Sequence, residues 1–161
     1  MATIQIILAI LLLFGYTVTF CVKTGGVPSS LSASVFDLPV NKRWIWTVML
    51  YAVVLLCLVP YIGKVDSGQT AAFVALAGLG IVGAVPLVAG SGKDVGYWVH
   101  CGAAMMCGFC SQMVLVFNAP LLLLCWVPFV IAWMIAGKWR TLTFWAEQVC
   151  FVSTFAFCFI K

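Results

Sequence analysis

Apolar residues run through this chain in long unbroken stretches separated by short polar segments. Residues 51–58 and 121–127 contain no charged or amide side chain, and neither shows the strict alternation of a half-buried strand. Six such stretches approach the ~20 residues that an α-helix needs to cross the hydrocarbon core of a bilayer. They cover about 2–22, 44–62, 69–90, 96–117, 119–137 and 142–160. Lipid offers no partner for an unpaired amide, so continuous apolar runs must satisfy their backbones internally, as helices do. A barrel would show short alternating strands instead. The pattern predicts an all-α, polytopic transmembrane helix bundle of about six spans, a single integral membrane domain over 1–161.

Two points of this division need argument. The first stretch lacks the basic head of a signal peptide, and its apolar run from Ile4 to Phe20 exceeds the usual length of that region. It is read as a retained span. The fourth and fifth spans are separated only by Asn118, Ala119 and Pro120, a single turn signal.

Charge then orients the bundle. Lys23, Lys42, Arg43, Lys93, Lys138 and Arg140 fall in the first, third and fifth loops, against Lys64 and Lys161 on the other side. Basic loops stay in the cytoplasm, so both termini are expected outside the cell membrane. Trp44, Trp46, Trp98, Trp139 and Trp145 lie near the same ends of their spans, where amphipathic rings favour the headgroup zone.

Composition excludes a soluble alternative. The chain of 161 residues is 65% hydrophobic and 7% charged, against roughly 25% charged in ordinary globular proteins. A water-soluble domain of this size exposes too much surface to hide that much apolar matter. The net charge of +4 includes no basic run of the kind that binds nucleic acid. The eight cysteines (residues 21, 57, 101, 107, 110, 125, 150 and 158) sit almost wholly inside apolar stretches. They read as small packing hydrophobes, not as a disulfide framework.

The longest loop, residues 24–39, mixes Gly, Pro and Ser with Leu31, Val35 and Phe36. Those apolar side chains suit a short interfacial or re-entrant segment bounded by Pro28 and Pro39. Ser29 and Ser30 are placed to cap a helical turn within it. No glycine-flanked nucleophile elbow accompanies any of its serines.

The third span is rich in small residues, with Ala71 and Ala75, and Gly80 and Ala84, each four apart. That spacing lets helix backbones approach closely, so Gly80 and Ala84 are expected to press on another helix, within the chain or in another subunit. Pro86 is expected to kink the end of this span, and the carbonyl it frees must find another donor. The Pro28–Ser34 segment, the sequence Gly83-Ala84-Val85-Pro86 and the following His100 together resemble short uncharacterised bacterial multi-pass membrane proteins. The resemblance implies a bacterial inner-membrane location and no activity.

Two ionisable residues fall inside spans. Glu147 lies about six residues into the last span and His100 about four into the fourth, roughly 9 Å and 6 Å deep. An intramembrane carboxylate faces the bundle interior and takes a partner. His100 is the expected partner, with Arg43 as its competitor. The candidate binding residues are therefore Glu147, His100 and Arg43, with no catalytic residue, metal or cofactor assigned. With one His in the chain, a His-rich zinc site is excluded.

A small bundle with this polar pair suits the movement or binding of a small solute or ion near its cytoplasmic half, and a conventional enzyme is not expected. Two alternatives stay open. One is an enzyme acting on lipid at the interface through Ser32 or Ser34, His100 and Glu147. The other is an assembly or regulatory subunit. The expected partners are the bilayer and either a second copy of the chain or another membrane subunit.

Overall fold

The computed structural model describes residues 2–90, 94–136 and 139–161, and every element among them is helical. Helix α1 (Ala2–Thr24) is followed by a 3-10 helix, Ser32–Asp37, and a 3-10 turn, Val40–Lys42. Helix α2 (Trp44–Val53) passes through a π-helical turn, Val54–Leu58, into α3 (Val59–Ile62). Pro60 has no N–H to offer the carbonyl four residues earlier. The chain widens by one residue just before it, with the amide of Val59 reaching back to Val54, as π turns commonly do at such interruptions.

Helix α4 (Gln69–Val88) and helix α5 (Val95–Asn118) form the most extensive pair in the bundle. Asn118 closes α5 by working on the turn that precedes α4. Its Oδ1 accepts from the amides of Asp66 and Ser67, and its Nδ2 donates to the Ser67 carbonyl. A 3-10 helix, Pro120–Cys125, leads into α6 (Trp126–Ala136), and a 3-10 turn, Trp139–Thr141, into α7 (Leu142–Ile160). The fifth apolar stretch is thus two pieces, and the α-helical part is short.

Five of the six apolar stretches are helices of at least 19 residues, including Val40–Ile62 as one run. The outer face of the bundle carries large apolar side chains such as Ile4, Phe14, Phe73, Met105 and Ile135. At one end, Lys161 pairs with Asp66 at 2.7 Å and Lys64 donates to the Cys158 carbonyl. At the opposite end, Arg43 donates to the carbonyls of Ala89 and Gly90, and the amide of Phe144 donates to the Ser29 carbonyl. Arg43 thus lies at one end of the bundle, and Lys64 and Lys161 at the other. Lys93 and Lys138, two of the cations assigned to this second end, lie outside the described residues.

Two expectations about packing need correction. Within the chain Gly80 is not a point of close helix approach: a Cβ placed there would meet no atom within 4 Å, and its contact with α2 is the hydrogen bond its carbonyl accepts from the Tyr51 hydroxyl. The close approach is at Gly78, where a Cβ would come within 2.9 Å of the Ala103 carbonyl on α5, and at Gly83, which lies against the Tyr51 ring. Because α4 is apolar all round, small-residue spacing alone does not choose which glycine meets a neighbouring helix within the chain. Trp46 is not part of an interfacial belt. It is buried at 1% exposure, whereas Trp44, Trp98 and Trp145 are exposed as such a belt requires; the side chain of Trp139 lies outside the described set.

Candidate functional site

The site is built on the loop after α1. Gly25, with φ 68°, ends α1, where the Gly26 amide reaches back to the Cys21 carbonyl, Pro39 bounds the segment on the other side, and its serines supply the local order. Ser30 Oγ accepts from the amide of Ala33 at 3.1 Å, the capping role its position suggested. Ser34 Oγ donates to the Leu31 carbonyl at 2.6 Å and lies 3.2 Å from the Tyr16 hydroxyl. Leu31, Ser34 and Val35 are almost wholly buried, so the segment turns into the bundle and does not drape over its surface.

Glu147 on α7 grips the start of this segment. Its Oε1 accepts from the hydroxyl of Ser30 at 2.9 Å and of Ser32 at 2.5 Å. Its Oε2 accepts from the amide of Leu31 at 2.5 Å, and the Ser32 amide lies 3.3 and 3.4 Å from the two oxygens. Two hydroxyls and two amides thus surround one carboxylate. A carboxylate withdrawn from water is costly without such donors, and here both oxygens are filled.

His100 and Arg43 meet the same segment at its other end, through Phe36. The His100 ring stands edge-on to Phe36, with centroids 5.1 Å apart, and the Arg43 guanidinium lies over that ring at 5.2 Å. Arg43, 2% exposed, spends its Nη1 on Ala89 and Gly90, while its Nε is buried without a partner. His100 is fully buried. Neither of its ring nitrogens completes a hydrogen bond.

The three residues picked from sequence therefore converge on one segment without pairing. Glu147 bonds neither His100 nor Arg43. The expectation of a direct pair assumed that matched depth implies contact, whereas the re-entrant serines occupy the space between. The partners are Ser30 and Ser32, which the sequence offers as a capping residue and as a candidate reactive serine, not as the ligands of the carboxylate. An acyl-transfer constellation does not form either. The Ser32 hydroxyl is donated to the carboxylate and His100 bonds no serine, whereas a nucleophile needs its hydroxyl on the base.

Beside the segment opens a cavity of about 690 Å3. Its rim holds Ser29, Arg140, Thr143 and Glu147, its middle Leu79, Ala104 and Gly108, and its far end Ser111, Gln112 and Trp126. Gln112 joins three of the polar side chains there, while the Tyr61 hydroxyl, also on the lining, is buried without a partner. Trp126 Nε1 donates to Gln112 Oε1 at 2.9 Å, and Gln112 Nε2 lies 3.3 Å from the hydroxyls of Ser111 and Ser153. Among the described residues no group of three or more His, Cys, Asp or Glu side chains is placed to hold a metal, and the eight cysteines are free thiols.

Comparison with protein-family models, with curated proteins and with solved structures finds no match for this chain.

Proposed function

We propose that the chain is a six-span integral membrane protein that binds a small apolar or amphipathic solute in the cleft beside the Ser30–Glu147 clasp. The observation that carries this reading is the cleft itself. Its volume falls within the ~300–1,000 Å3 of ordinary small-molecule sites, and its wall is apolar between polar groups at its two ends. Such a wall suits a hydrocarbon body better than a hydrated ion, which would need polar partners along its path.

Length supports six crossings. The Pro120–Cys125 and Trp126–Ala136 pieces have six and eleven residues. At 3-10 and α-helical rises they extend about 28 Å, close to the ~30 Å hydrocarbon core. The end that carries Arg43 and Arg140 then faces the cytoplasm, which leaves both termini outside.

A photoreactive alkyl diazirine, presented to the protein in phosphatidylcholine vesicles, tests the cleft. Saturable labelling of the α4 and α5 residues that line it is expected, with loss of that labelling in Ala104→Trp, which fills the middle of the space. Labelling spread evenly over outward-facing residues, and unchanged in the variant, would refute the reading.

A further inference from the structure

We infer that the occupant of the cleft is a single-chain amphipath with an anionic head, a fatty carboxylate, whose head sits on Arg140 and whose tail runs along Leu79, Ala104 and Gly108. This rests on the reading of the cleft as a binding site. Glu147 is the rim's anion, and both of its oxygens are filled by Ser30, Leu31 and Ser32, so it has little left for a cationic head. Arg140 is the rim's cation. It is exposed, lines the cleft, and makes no hydrogen bond or ion pair with any described residue.

A guanidinium meets a carboxylate through two parallel hydrogen bonds. Thr143, one turn along on α7, and Ser29 place two hydroxyl-bearing residues on the same rim. Below them the lining turns apolar, and the amide of Gln112 is already engaged. A ligand that is anionic at one end and hydrocarbon for the rest matches this sequence of surfaces.

The test uses the full chain in phosphatidylcholine vesicles, with a fatty acid bearing a diazirine at its tail end and the alcohol of the same chain length. At a pH that ionises the acid, it should label cleft residues at lower concentration than the alcohol. Arg140→Gln should raise the half-saturating concentration of the acid about tenfold, the factor expected for one charge-assisted contact, and leave the alcohol unchanged. Arg140→Lys should keep most of the preference. Arg140 is exposed, so these variants fold. Equal labelling by acid and alcohol, indifferent to Arg140→Gln, overturns the anionic head while leaving the cleft as a site and Arg140 as an interfacial anchor. If neither probe labels the cleft residues saturably, the reading of the cleft fails as well.

Discussion

The indole N–H of Trp46 donates to the carbonyl of Val82 at 3.3 Å. Val82 is four residues before Pro86, so its carbonyl has lost the amide that would have bonded it inside α4. Neighbouring bonds tie the same two helices, Thr47 Oγ1 to the Gly83 carbonyl and the Tyr51 hydroxyl to the Gly80 carbonyl. Helix α2 thus repairs a defect in α4.

That repair predicts coupling. Trp46→Phe should destabilise the protein by roughly 1–3 kcal/mol beyond its loss of packing, the cost of an unpaired buried acceptor. Pro86→Ala restores the missing amide, so the double variant should recover part of the loss. Thermal unfolding of the four proteins in one detergent measures the coupling, and strictly additive effects would refute the link.

Gly78→Ala should cost about 1–3 kcal/mol, because the new Cβ meets a backbone oxygen on α5 and the helices must part. Gly80→Ala meets nothing and should be neutral or up to about 1 kcal/mol more stable, since alanine removes glycine's extra freedom. Thermal midpoints in the reverse order would show that the α4–α5 contact is misassigned.

Glu147→Gln replaces one of two accepting oxygens by an NH2 group that faces donors. Release of the loop should cost roughly 1–3 kcal/mol and appear as faster hydrogen exchange at the amides of Leu31 and Ser32, with α4 and α5 little changed. Unaltered exchange at those amides would mean that the clasp does not hold the segment.

Asp94 lies outside the spans and caps α5. The amides of Tyr97 at 2.9 Å and Gly90 at 2.7 Å donate to it, and these backbone donors, Tyr97 first, hold its carboxyl below the ordinary carboxylate range. A folded pKa below the unfolded one adds stability that is present above the unfolded value, near ~3.9, and is lost as pH falls through the folded value. The stability gap between the protein and Asp94→Asn should therefore hold at neutral pH and close in acid. A gap independent of pH would remove the charge from the explanation.

Membrane orientation is open to a direct check. A membrane-impermeant lysine reagent applied to intact cells should reach Lys64 and Lys161 and spare Lys42. Modification of Lys42 from outside would invert the topology.

Much of this architecture was legible in the chain before folding was considered. Long apolar runs must satisfy their own backbones, so the all-helical character and five long apolar helices follow from composition and length alone. Pro86 dictated an orphan carbonyl, and the proline-bounded serines dictated a capped turn, because both are consequences of local covalent structure. Tertiary structure decided who meets whom. Ser30 and Glu147 are 117 residues apart, and nothing between them encodes their contact. Gly78 and Gly80 are both small residues on a helix apolar on all sides, as Trp44 and Trp46 are both aromatics at one end of a span. Lipid solvates apolar side chains as readily as a neighbouring helix does. Sequence hydrophobicity therefore marks which residues form the apolar helices, while close packing and the pairing of buried polar groups select the face each helix turns inward.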